Sequence, residues 1–397
     1  MKTVYVDNNA TTAIAPEVLE VMQPYLTTDY FNPSSMYDAA KSSARAIQEA
    51  RKTIANCFEA GDPEQILFTG SATESNNAAL FGTVQANPQR RHIMTSAVEH
   101  PSVLEVCKEL QRRGLDVDFL PVNQQGELAM DEYVKTLRSD TLLVSIMLAN
   151  NETGVCYPVA ELARIAKETS AEIAVHTDAT QAIGKLAVDL QGDLKHVDLL
   201  SFSGHKLHAP KGVGALFVRR GTRWRPFMLG GHQEGGRRAG TENVASIVGL
   251  AKACELAVAG VSDEQTRVRA LRDRLQQLLE EQIPAIEVNG RNAQRLPNTL
   301  NLAIHGIEGE AILSELSRYG ICASSGSACT SGSLEPSHVL KAMAVPFTAI
   351  HGSLRISLSR YNSGEDVERI VAALPGIVAR LRKLSPYWDD ARNCLDV

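Results

Sequence analysis

Short apolar, β-branched runs alternate with helix-length patterns through the first half of the chain, and this alternation is the strongest constraint on its fold. The runs are Ile66–Phe68, His92–Thr95, Val117–Leu120, Leu142–Met147, Ile173–His176, Leu199–Phe202 and Ala215–Val218. Around them the pattern predicts helices over Ala40–Cys57, Glu74–Gln85, Val103–Arg112 and Val159–Lys167. Strand–helix alternation builds an α/β fold: a mostly parallel, seven-stranded sheet with helices on both faces. In such a sheet, ligands collect at the loops beyond the carboxyl ends of the strands.

The alternation stops at a glycine-rich stretch, Gly230-Gly231-His232-Gln233-Glu234-Gly235-Gly236. A helical pattern follows from Thr241 to Ala259, and a long polar helix runs from about Gly260 to Gln282. The remainder mixes strands (Thr299–Ala303, Leu354–Ser357) with helices over Glu308–Tyr319 and Asp366–Leu384, where Pro375 is expected to break or kink the last one. A chain of 397 residues exceeds one ordinary core. The expectation is a large domain over 1–260 and a smaller α+β domain over 261–397, with the first residues able to pack on the smaller one.

Charge narrows the class of partner. With 40 Lys+Arg against 46 Asp+Glu, the net charge is -6. A mildly acidic chain without a basic run is a poor binder of nucleic acid or of an anionic membrane. The N-terminus has no signal-peptide core, and the longest apolar run, Leu142–Ala149, is far too short to span a bilayer. A cytoplasmic protein is expected. The seven cysteines are odd in number and contain no Cys-x-x-Cys pair, which argues against a disulfide framework or a closed zinc site. No intrinsic metal site is expected, and most of the thiols should be small buried apolar groups.

Chemistry concentrates first in Asp198-Leu199-Leu200-Ser201-Phe202-Ser203-Gly204-His205-Lys206, followed by Pro210-Lys211-Gly212-Val213-Gly214. An apolar strand runs into a polar turn ending in His-Lys. A lysine at a strand end can hold a carbonyl cofactor covalently. Alone, the pair would read as a surface lysine in a loop; the extended pattern reverses that weighting.

The segment resembles the pyridoxal-lysine motif of class-V aminotransferases. Within that group the chain is similar to the cysteine desulfurases of the nitrogen-fixation type, from Val4-Tyr5-Val6-Asp7-Asn8-Asn9-Ala10-Thr11-Thr12 to Leu381-Arg382-Lys383-Leu384-Ser385-Pro386-Tyr387-Trp388. The resemblance implies fold type I of the pyridoxal 5'-phosphate (PLP) enzymes, a homodimer, L-cysteine as substrate and an iron–sulfur scaffold protein as sulfur acceptor. Housekeeping members of the family carry a longer C-terminal segment. A chain ending at Val397 therefore points to the nitrogen-fixation type and to nitrogenase maturation.

PLP needs a phosphate cradle, an acid for its ring nitrogen and a grip on the substrate. Thr69-Gly70-Ser71-Ala72-Thr73-Glu74 follows a strand and opens a helix, whose free N–H groups suit an anion. Ser71 and Glu74 alone would read as a capping box; with a PLP lysine downstream, Ala72 and Thr73 become phosphate ligands. The resemblance adds Ser203 and His205, and Thr241 donated by the partner subunit. Asp178 can keep the pyridine nitrogen protonated, with Gln181 reaching the ring oxygen; alone, Asp178 would be a helix cap. The family places His100 over the ring, where an imidazole can move protons. It places Asn151, in a segment that otherwise reads as a turn, near the ring oxygen and the substrate. Arg355 offers a fork for the substrate carboxylate, with Asn32 as helper.

Cys329 selects among PLP chemistries. It lies in Ala323-Ser324-Ser325-Gly326-Ser327-Ala328-Cys329-Thr330-Ser331-Gly332-Ser333, a stretch of small residues suited to a flexible tether. Such a thiol can reach a substrate sulfur and then an acceptor. Cys322 ends an apolar segment and reads as structural; Cys394 reads as a solvent-accessible bystander. The implied chemistry is removal of the α proton by Lys206, attack of Cys329 on the substrate sulfur, and release of L-alanine. Cys329 could also be a transient ligand of a cluster shared with the scaffold. The rivals are a selenocysteine lyase or aminotransferase of the same class, and a non-catalytic sulfur-carrier or scaffold subunit. The last predicts damage to Lys206, Asp178 or Cys329, and all three are intact.

Overall fold

The computed structural model describes residues 3–325, 336–389 and 394–395. After a short strand β1 (Val4–Tyr5) come helices α1 (Pro16–Thr27) and α2 (Ala40–Cys57). The main sheet follows: β2 (Ile66–Thr69), β3 (His92–Ser96), β4 (Asp116–Leu120), β5 (Thr141–Ser145), β6 (Ala174–Asp178), β7 (Leu199–Ser203) and β8 (Gly214–Val218). Interleaved with it are α3 (Ala72–Ala86), α4 (Pro101–Arg112), α5 (Met130–Thr136) and α6 (Val159–Thr169), and α7 (Val244–Ala259) comes after.

All seven expected runs enter one sheet, in the order β2-β8-β7-β6-β5-β3-β4. Five neighbouring strands run parallel, and β8 pairs antiparallel with both β7 and β2. The central strands are buried along both faces because both faces are covered. On one side Leu80, Val103 and Leu110 of α3 and α4 pack with Leu67, Leu142 and Leu199. On the other, Ile47 and Ile54 of α2, Leu162 of α6 and Leu250 of α7 form the largest cluster with Val144, Val175 and Phe202.

A third cluster joins Val4 and Val6 to residues between Val268 and Val378. Its sheet is antiparallel, in the order β12 (Ser353–Ser357), β10 (Thr299–Ile304), β9 (Ile286–Val288). Strand β1 pairs in parallel with β11 (Ile321–Cys322), placing Val4 opposite Ile321. The polar helix after α7 contains a π turn at Glu264–Val268 before continuing over Arg269–Gln282.

Pro375 does not end its helix, which runs unbroken from Gly364 to Arg382. A mid-helix proline costs about 3 kcal/mol. Val371, Leu374, Ile377 and Val378 around it are buried, and each contributes about 1.5–3 kcal/mol on burial, so packing outweighs the lost bond. Among the described residues no single helix is long and apolar enough to cross a membrane.

Candidate active site

The carboxyl ends of β2, β3, β5, β6 and β7 open onto one cavity of about 330 Å³. Its walls include Asn9, Ala10, Ala72, Thr73, His100, Asn151, Asp178, Gln181, Ser203, His205, Lys206 and Arg355. Ten of the residues singled out in the sequence thus converge from segments far apart in the chain.

The floor at one end is the start of α3. Ser71 caps it, its Oγ accepting from Glu74 N at 3.2 Å, so the capping reading and the anion reading fall on the same turn. Gly214 lies against this turn: a Cβ there would stand 2.8 Å from the Ser71 carbonyl carbon and 2.7 Å from Phe202 O. Only glycine lets β8 approach the cradle this closely.

Asp178 ends β6, largely buried. Its Oδ1 accepts from Thr180 N at 2.9 Å, a cap-like turn, and its Oδ2 accepts from Asn76 Nδ2 at 2.7 Å. Asn76 Nδ2 also donates to Ser102 Oγ at 2.8 Å, and Ser102 Oγ lies 2.8 Å from His100 Nδ1. Ser102 N donates to the same nitrogen at 3.1 Å. With two donors converging on Nδ1, the neutral imidazole carries its proton on Nε2. Burial lowers the His100 pKa; Asp178 pulls it up, while Lys206 and His338 push it further down. His205 is lowered to about 4 by burial and by the charges of Lys206, Lys211 and His100. Both rings are therefore neutral near pH 7.

Lys206 follows β7 in a tight turn, and its Nζ donates to the carbonyls of Asn9 and Ala10. Asn9 O also accepts from Gln181 Nε2 at 3.0 Å. Asn9 is itself locked: its Nδ2 donates to Thr299 Oγ1 at 2.9 Å and its Oδ1 accepts from Asn298 Nδ2 at 3.1 Å. The turn after β1 thus holds the lysine and the glutamine together.

Arg355 projects from β12 and is 2% exposed. One amine pairs with Asp7 Oδ1 at 2.9 Å, the other donates to Asn151 O at 3.1 Å, and Nε has no hydrogen-bond partner. Asn151 sits in the turn expected of it, where Asn150 Oδ1 accepts from the N–H groups of Glu152 and Thr153. Gln181 Oε1 is likewise buried without a partner. Such orphaned polar atoms around one cavity are what a bound polar ligand would satisfy.

One expected residue is not brought in, and a second was expected to serve the partner's site instead. Asn32 is exposed, and its Oδ1 accepts from Ser34 N at 2.9 Å in a local turn rather than facing the cavity. Thr241 is exposed and outside the lining. Cys322, read as structural, is exposed: β11 buries Ile321 and turns the next side chain outward. Cys329 lies outside the described residues, as does the side chain of Cys394. The segment before Cys329 is anchored at Ser324, which exchanges backbone bonds with Arg355 and donates from Oγ to Asp7 Oδ2 at 3.2 Å. Asp7, Asn9, Asn76 and Ser102 were missed as supports. For Asn76 the available signal was a polar residue on the buried side of a helix.

Residues 4–370 match the family model for aminotransferase class-V. A cysteine desulfurase of Trichormus azollae is 52% identical over 395 residues, covering 100% of this chain and 98% of the relative. The cysteine desulfurase NifS of Azotobacter vinelandii is 49% identical over 98% of this chain and 96% of its own. Among solved structures, a NifS-like protein superposes with a TM-score of 0.90 at 38% identity, covering 96% of this chain and 100% of that one. A structure described as SspA in complex with cysteine gives 0.79 at 33% identity, with 91% and 100% covered.

Proposed function

Because the chain belongs to the class-V aminotransferase family, we propose that it is a PLP-dependent cysteine desulfurase, converting L-cysteine to L-alanine and a persulfide on Cys329. The observation that carries this reading is the convergence of Lys206, Asp178, the start of α3 and Arg355 on one cavity. Relatives named cysteine desulfurase, matched along nearly their whole length, support the substrate.

The residues fit the cofactor. The N–H groups of Ala72 and Thr73, with Ser203 and His205, would hold the phosphate; Asp178 would face the ring nitrogen and Gln181 the ring oxygen. When bound, PLP supplies an electron sink for a carbanion at the substrate α carbon. Asp178, its two oxygens fixed by the Thr180 N–H and the Asn76 amide, would pair with the ring nitrogen. Arg355, oriented by Asp7, receives the substrate carboxylate beside Asn151. Lys206 moves the α proton, and its Nζ is steadied by Asn9 and Ala10. His100, with its hydrogen on Nε2 and Nδ1 held by Ser102, would donate a hydrogen bond to the substrate amine or thiol. The Cys329 thiolate attacks the substrate sulfur; the C–S electron pair stays on carbon and is protonated to give alanine, while the sulfur remains on Cys329.

The wider assignment is a cytoplasmic homodimer, Thr241 completing the partner's phosphate site. Residues 1–260 form the cofactor domain; 261–397 form the smaller one, which the first strand joins. The persulfide passes to an iron–sulfur scaffold in nitrogenase maturation, with Cys329 as a transient ligand of a shared cluster. Intact-mass and peptide mapping after L-cysteine treatment test the core of the reading. Sulfur should be added at Cys329 in the wild type and absent from Cys329→Ala, which should keep its yellow cofactor. Normal sulfide release by Cys329→Ala would overturn the nucleophile assignment.

A further inference from the structure

Glu74 stands in the first turn of α3, the turn whose first residues, Ala72 and Thr73, line the cavity. Its Oε2 accepts from Gly70 N at 2.7 Å. A carboxylate there favours the helix itself, yet it opposes a phosphate dianion seeking the same N–H groups. Arg238 answers that conflict: its Nε lies 2.8 Å from Glu74 Oε1, and an amine lies 3.0 Å from Oε2. The pair is bidentate and mostly buried, at 22% and 15% side-chain exposure.

The arginine is not delivered by a free surface segment. Glu234, four residues earlier, is 7% exposed and fixes the glycine-rich turn to the sheet. Its carboxylate receives both amines of Arg51, at 2.6 and 2.9 Å, and Phe68 N at 2.9 Å. Phe68 belongs to β2, which leads directly into the cradle. The turn therefore presents Arg238 to Glu74 from a rigid base.

We propose that Arg238 is a positioning residue for cofactor phosphate: by neutralising Glu74 it keeps the N-terminus of α3 attractive to a dianion. This rests on the PLP reading above. Arg238 acts through Glu74, so its influence is on charge and should be reversible at Glu74.

The test titrates PLP, and separately pyridoxal, which lacks the phosphate, into full-length protein stripped of cofactor, following absorbance. Arg238→Met should weaken PLP binding by about ten-fold or more and leave pyridoxal binding within about two-fold. Glu74→Gln added to Arg238→Met should recover most of the loss, and Arg238→Lys should retain most of the affinity. Circular dichroism verifies that each variant is folded. Unchanged PLP affinity in Arg238→Met overturns the proposal. So does equal weakening toward both ligands with no recovery by Glu74→Gln, which marks a structural staple instead. Wild-type protein that takes up no PLP overturns the functional reading, and this proposal with it.

Discussion

Asn76 and Asp178 are joined by a 2.7 Å hydrogen bond between α3 and the end of β6, and the second amide hydrogen of Asn76 continues through Ser102 to His100. One side chain therefore sets the orientation of both Asp178 and, through Ser102, His100. Replacing it leaves a buried carboxylate oxygen without its donor, which costs about 1–3 kcal/mol. Asn76→Ala should lower the unfolding free energy by that amount and weaken PLP binding about ten-fold. Urea unfolding and cofactor titration check the two effects; a variant that binds PLP normally would show that Asn76 is only packing.

Asp7 orients Arg355 through a 2.9 Å ion pair. Asp7→Ala should leave the guanidinium free to turn away, raising the KM for L-cysteine by about ten-fold, with a smaller effect on kcat. Steady-state kinetics decide this. An effect confined to kcat would mean that the pair serves the chemical step rather than the carboxylate grip.

Glu99, next to His100, carries a pH dependence. Burial lifts its pKa from 4.5 to about 8, against the pull of Ser96 and the Met147 N–H; Asp178 adds to the rise. Between these values the folded chain binds the proton more tightly than the unfolded chain. Its contribution is therefore full below about pH 4.5 and is lost as pH rises through about 8. Glu99→Gln should flatten the decline in urea midpoint across that window. Parallel curves for variant and wild type would place the titration elsewhere.

Among the described cysteines, Cys322 is exposed, while Cys107 and Cys254 are buried. Burial pushes the Cys57 thiol to about 11 and Cys156 to about 12. Cys322 should be the first of these to be alkylated under native conditions, and Cys322→Ser should keep normal turnover. Timed labelling with peptide mapping checks the order, and earlier labelling of Cys57 or Cys156 would contradict it.

Much of this was legible in the chain. Most of the strands announced themselves because they are buried on both faces, which favours apolar runs; the edge strand β4 is only partly buried. The motifs at their ends were legible because an α/β sheet puts its chemistry there. Helix α1 was not: it carries Pro24 within it, and only Val18 and Met22 are buried, while Leu19 and Leu26 face outward. Pro375 misled because local propensity ignores the packing around it. Asp7, Asn9 and Asn76 were invisible as supports because each serves a partner far along the chain, where no local pattern can register it. Cys322 failed for the opposite reason. Its neighbours are apolar, but a strand alternates sides, so an apolar neighbourhood in sequence does not bury every member.

The pairing of β1 with β11 has a consequence for synthesis. Val4 waits for Ile321, and Asn8 N waits for the carbonyl of Ser357. The turn that steadies Lys206 is made about 290 to 350 residues before the strands that clamp it. Contacts of such long sequence separation form late. The nascent protein can thus assemble its central sheet while Lys206 still lacks its seat, which arrives only with β10 and β12.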